Sequence, residues 1–226
     1  ASEAKKHTAV ATSDALVLVI GGDAQDSVLA SQDGAAWGGF ASTNLKPTND
    51  AVWGDGKFVA VGASSTTSSA MSYNGEAPWG LPLGTGAPNG GYGSKDKDAQ
   101  QWIPGTGLPA GIGYGVAYGK DKFVTVGKWG TNTIYYSTDG KDWKAAQNNS
   151  QKIFSTGRSV TWVGDKFIAF GDEGTGAGSS SIAHSIDGIN WTGDGASVFT
   201  QYAKNGFWNG SLWVVVGKGT NTLATS

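Results

Sequence analysis

The stretch Val52–Gly62, VWGDGKFVAVG, recurs three times with little change. The copies are AYGKDKFVTVG at Ala117–Gly127, TWVGDKFIAFG at Thr161–Gly171 and FWNGSLWVVVG at Phe207–Gly217, and a degenerate copy, ATSDALVLVIG, runs over Ala11–Gly21. The closing glycines, Gly21, Gly62, Gly127, Gly171 and Gly217, lie 41, 65, 44 and 46 residues apart. Self-similarity at a spacing of roughly 40–50 residues marks an architecture in which one supersecondary unit is repeated and buries its faces against its neighbours. The long interval carries an insertion of about 20 residues.

Each copy reads as a β-hairpin. Asp55-Gly56 and Asn209-Gly210 are dipeptides that tolerate positive φ at both central positions of a two-residue turn. The strand after the turn is apolar on both faces, as in Phe58-Val59-Ala60-Val61 and Trp213-Val214-Val215-Val216. A sheet with one wet face alternates polar and apolar residues instead, so these strands are expected between two covering layers. A second element follows each of the first four hairpins: SQDGAAW (Ser31–Trp37), SYNGEAPW (Ser72–Trp79), STDGKDW (Ser137–Trp143) and SIDGINW (Ser185–Trp191). An Asp or Asn there can accept backbone N–H groups while the following Gly supplies a left-handed position. Asp33, Asn74, Asp139 and Asp187 are therefore assigned to turns, and Trp37, Trp79, Trp143 and Trp191 to packing between repeats.

The pairing of G-x-x-F-V-A-V-G with S-x-D-G-x-x-W resembles bacterial and phage β-propeller repeats, related in style to the Asp-box of sialidases. Here the turn is one residue shorter than the usual Asp-box, and Asn74 replaces Asp in the second copy. The repeat count and the resemblance together predict an all-β fold. It is a single domain over 1–226, a five-bladed β-propeller of four-stranded antiparallel blades, with an inserted inter-blade loop at about 80–113. The last copy ends without a D-G-x-x-W element. Residues 1–8 are expected to supply its missing outer strand, closing the ring by pairing the N- and C-terminal strands.

Composition narrows the function. The chain has 226 residues, net charge −2 and 15% charged residues, so no basic surplus exists to bind a nucleic-acid backbone. It has no cysteine, which excludes disulfides, thiolate zinc and thiol catalysis. The longest wholly apolar run, Ala15–Ile20, is too short to span a bilayer. Lys5 and Lys6 before an apolar stretch imitate a secretory signal, but Ser13 and Asp14 interrupt it and the stretch aligns with the later hairpins. A virion or cytoplasmic location is expected over secretion.

No catalytic residue, metal ligand or cofactor is assigned. A sialidase arginine triad is impossible with Arg158 alone. Five-bladed glycosidases use inward carboxylates from several blades, whereas most acids here are taken up by turns. His7 and His184 have no acid or Cys at metal-ligand spacing. Asp96-Lys97-Asp98 reads as a solvated loop.

A non-catalytic interaction module remains, a subunit or decoration of a larger assembly such as a phage virion, with a protein partner. A lectin recognising surface glycans is the alternative, and a glycosidase-like enzyme a further one. The candidate contact face comprises Tyr92 and Trp102 in the insertion, with Trp129, Asn132 and Asn221 in loops expected on the same side. Gly130-Thr131-Asn132-Thr133 and Gly219-Thr220-Asn221-Thr222 are the loop sequences that repeat there.

Overall fold

A computed structural model describes residues 8–14, 16–21, 28–39, 45–64, 68–73, 102–130, 132–147, 153–175, 178–194 and 198–226. The chain is a series of antiparallel meanders. The first comprises β1 (Ala9–Thr12), β2 (Val17–Ile20), β3 (Val28–Ser31) and β4 (Gly38–Gly39). The second comprises β5 (Thr48–Gly54), β6 (Lys57–Ser64), β7 (Ser69–Tyr73) and β8 (Trp102–Pro104). The third comprises β9 (Gly111–Gly119), β10 (Lys122–Trp129), β11 (Asn132–Ser137) and β12 (Lys144–Ala145). The fourth comprises β13 (Phe154–Val163), β14 (Lys166–Glu173), β15 (Ile182–Ser185) and β16 (Thr192–Gly193). The fifth has three strands, β17 (Tyr202–Trp208), β18 (Trp213–Lys218) and β19 (Leu223–Thr225).

The hairpins form where the repeat predicts them. Asp55-Gly56 has φ of 46° and 71°, and Lys120-Asp121 reaches 46° and 56° without glycine. Asn209-Gly210 differs, because only Gly210 is left-handed (φ 97°). The Asn209 Oδ1 instead accepts the amides of Ser211 and Leu212 at 2.9 and 2.8 Å, so the side chain closes a longer turn. Across each of the last four hairpins two aromatic rings pair: Trp53 with Phe58, Tyr118 with Phe123, Trp162 with Phe167 and Trp208 with Trp213, at centroid distances of 4.6–5.6 Å. Gly119 is required by this arrangement, since a Cβ there would lie 2.1 Å from the Trp162 ring.

Four cores separate the five meanders. Leu18 and Ile20 of the first pack against Phe58 and Ala60 of the second. Val59 and Val61, on the opposite face of β6, pack against Phe123 and Val116 of the third. Val124 and Val126 then meet Phe167 and Ala169 of the fourth. Ile168 and Phe170 meet Val215 and Phe199 of the fifth. The second to fourth central strands are thus covered on both faces, as their sequence predicts. β2 and β18 are not. Val17 and Val19 are half-buried, and Val214 and Val216 are exposed, because among the described residues the first and last meanders each pack against a neighbour on one side only.

The all-β class holds, but the closed five-bladed ring does not. Among the described residues the strands assemble into three open antiparallel sheets of four, eight and seven strands. The second and third meanders fuse through β6 and β9 (Ala63↔Ile112, Ser64↔Gly111), and the fourth and fifth through β14 and β17 (Asp172↔Tyr202). Among the described residues β19 pairs with β18 alone. Thr8 is directed elsewhere: its amide donates to Ile20 O at 2.8 Å and its hydroxyl to Thr48 O at 2.7 Å. The rest of the predicted closing strand, residues 1–7, lies outside the described residues. Part of the 80–113 insertion is strand rather than loop. Trp102–Pro104 is the fourth strand of the second meander, and Gly111–Gly113 opens β9.

Candidate functional site

The repeated Ser-x-Asp-Gly-x-x-Trp element is a turn of one design in three copies. In the fourth meander the Ser185 hydroxyl donates to Asp187 Oδ1 at 2.9 Å and accepts the Gly188 amide at 2.8 Å. Asp187 Oδ1 accepts the amides of Ile189 and Asn190, both at 2.8 Å. Trp191 Nε1 donates back to Gly188 O at 3.2 Å. Asp139 receives Lys141 and Asp142 in the same way, and Asp33 receives Ala35 and Ala36. The N–H donors hold the Asp33 carboxyl below its ordinary value. At Asp139 and Asp187 partial burial pushes the pKa up, but the donors outweigh it, and Asp187 falls to about 2. These carboxylates are committed to backbone amides, which is the turn role their sequence position implies. The second copy, with Asn74 and Trp79, lies outside the described residues.

The tryptophans separate by position. Trp143 and Trp191 are 4% and 3% exposed, each wedged into the core shared with the preceding meander. Trp37 makes the same bond to Gly34 O but is 41% exposed, with no meander packed over it among the described residues.

The described members of the predicted contact face are placed differently from one another. Trp102 is 3% exposed in the core between the first two meanders, because β8 covers that junction. Trp129 is 1% exposed; its Nε1 donates to Ser68 Oγ at 2.6 Å and its ring stands edge-on to Tyr135. Asn132 is half-buried at the start of β11. Asn221 is exposed, with its amide donating to Val198 O at 2.9 Å. Tyr92 lies outside the described residues.

Asp50 and Asn49 escaped the sequence reading, which also gave Arg158 and His184 no partner. Asp50 follows a β-bulge in β5 and bridges two meanders, its Oδ2 accepting the Val116 amide at 2.9 Å and its Oδ1 that of Ala51. Burial of the carboxyl pushes its pKa up to about 6 against the pull of these two donors. Its neighbour Asn49 donates to Gly113 O at 2.7 Å, tying the same two meanders. Arg158 makes a forked ion pair with Asp172 and lies 4.2 Å from the Tyr202 ring centroid. His184 meets Asp194 at 2.6 Å on the surface. Among the described residues no three His, Cys, Asp or Glu side chains gather into a metal-binding group. The signal available for Asp50 was its place outside both repeated motifs, on the first strand of its hairpin.

One unsatisfied feature among the described residues is apolar. On the outer face of the fifth meander Phe207, Val214, Val216 and Leu223 are 36–69% exposed. The ladder sets Phe207 opposite Val214, and Leu223 opposite Val216, so the four form one patch. At the other end, Val10 (62% exposed) stands opposite Val19.

No family model and no curated protein matches the chain. Among solved structures it is similar to the computationally designed Ika8 protein, with TM-score 0.56 and 13% identity over 93% of this chain and 55% of that one. The chain thus spans about half the length of that protein, and the likeness is one of fold. It also aligns with the designed Ika4 protein at TM-score 0.49 and 12% identity, over 82% of this chain and 93% of that one. No helix among the described residues is long and apolar enough to cross a membrane.

Proposed function

We propose that the chain is a non-catalytic interaction module, a subunit of a larger assembly. The observation that carries this reading is the open apolar face of the fifth meander. Phe207, at 69% exposure, and Leu223, at 58%, stand on an antiparallel sheet whose reverse side is core. A contiguous patch of this kind favours a covering partner. A virion setting is proposed on the resemblance of the repeat motifs to phage repeats alone.

Several placements favour this reading over the alternatives. A glycan site draws on exposed aromatic and amide groups, whereas the Trp129 ring is buried and the Asn221 amide is occupied. A glycosidase needs paired carboxylates facing a substrate, whereas Asp50, Asp139 and Asp187 hold backbone amides.

The test is purification of the chain from its native source, followed by sizing. Recovery in a discrete complex or particle is the expected result. A lone monomer retained on a sugar column refutes the reading.

A further inference from the structure

We infer that the open face of the fifth meander is filled by the first meander of a second copy of this chain, joined head to tail. The inference rests on the assembly reading above and supplies its partner.

The internal junctions show what such a face is built to receive. In two of them the Asp-Gly turn of one meander sits on the central strand of the one before it. A Cβ on Gly140 would lie 2.6 Å from Val59 Cγ2, and one on Gly188 would lie 2.9 Å from Val124 Cγ2. Three residues beyond each glycine, Trp143 or Trp191 closes the same core. Val59 and Val124 occupy the second place of the motif Phe-Val-x-Val-Gly, and Val214 occupies that place in the fifth meander.

Among the described residues no such turn sits on Val214, which is 36% exposed. The first meander has the converse deficit: Gly34 keeps the left-handed φ of 73°, but a Cβ there would meet nothing within 4 Å, and Trp37 is exposed. The chain therefore presents half of one junction at each end, in matching register. Its own repeats define the occupant. Gly34 of one copy belongs over Val214 of the other, with Trp37 against Val216. Such a contact is heterologous, so it builds a closed ring of copies or a filament according to the rotation per copy.

The experiment is light scattering behind size-exclusion chromatography across the micromolar range, on the wild type and two double variants. Val214→Lys with Val216→Lys blocks the last face, and Val10→Lys with Trp37→Ser blocks the first. The wild type is expected to associate. Each variant alone should run as a monomer, its association weakened about 100-fold or more by a charge buried without a partner. An equimolar mixture of the two variants should form a dimer through the one intact pair of faces, which also shows that both are folded.

A wild type that stays monomeric overturns the inference. So does self-association of the Val10→Lys, Trp37→Ser variant, which would mean that two last faces meet each other. Hydroxyl-radical footprinting of Phe207 and Leu223 in a monomeric wild type separates the two levels. Rapid modification leaves the face open for another partner, so the function reading survives; protection of both residues removes that reading as well.

Discussion

Trp37 and Trp191 occupy the same place in the same turn, make the same bond to a glycine carbonyl, and differ in what lies above them. Replacing each by Ala isolates the value of a neighbouring meander. A Trp side chain offers up to about 250 Å², and the two differ in exposure by 41% against 3%. The extra area buried at Trp191 is therefore roughly 95 Å², worth about 2.4 kcal/mol at about 25 cal/mol per Å². Truncation also leaves a cavity at the buried site, so Trp191→Ala should cost about 3–5 kcal/mol, with Trp37→Ala smaller by at least the area difference. Urea unfolding followed by far-UV circular dichroism measures both. The measurement is made in the Val214→Lys, Val216→Lys background, so that a second copy cannot cover Trp37. Equal losses would refute the claim that preceding meanders, rather than the local turn, hold these tryptophans.

Asp50 makes stability fall as pH rises. Its carboxyl goes from an ordinary value of 3.8 to about 6 on folding, so the folded state holds the proton more tightly and loses up to about 3 kcal/mol between pH 4 and 6. Asp50→Asn should remove that loss while keeping an acceptor for Val116; parallel stability–pH curves for the two proteins would contradict it. Asp187 has the opposite sign, since its lowered pKa stabilises above pH 4 and that contribution disappears as pH falls toward 2. Asp187→Ala should cost about 0.5–2 kcal/mol at neutral pH, as the loss of a capping acceptor for the Ile189 and Asn190 amides, with the difference shrinking in acid; a pH-independent difference would count against the bond. Gly34→Ala should cost roughly 1–2 kcal/mol from its left-handed backbone alone. Gly188→Ala should cost about 1–3 kcal/mol more, because its methyl meets Val124 and Phe167 at 2.9 and 3.1 Å; similar melting temperatures for the two would contradict the junction geometry.

The strands and turns were legible because their determinants are local. The continuous apolar run and the Asp-Gly dipeptide in Val52–Gly62 place β5 and β6, and the Ser-x-Asp-Gly-x-x-Trp spacing places the amide-capped turn. Closure was not legible. It depends on a small rotation added at every junction, which no single repeat encodes, and on where the outermost strands pair. The same limit explains Trp213–Val216, whose residues match the internal copies although one face is bare. Trp102 and Trp129 stood out as exposed aromatics in loops, yet an aromatic that can bind can equally fill a junction, and only the packing of β8 and β10 decides. Asp50 was missed because its role is set by the neighbouring strand, 66 residues away.

The serial stack of meanders is tested most directly by thiol reactivity at one position of the motif. The chain has no native cysteine, so single cysteines at Val61, Val126, Phe170 and Val216 report on four equivalent central strands. In the Val10→Lys, Trp37→Ser background, Cys at Val216 should react with a maleimide near the rate of a free thiol, while the other three, on fully buried sites, react only as fast as the fold opens. Protection at Val216 equal to that at Val61 would contradict an open last face and the order of packing with it.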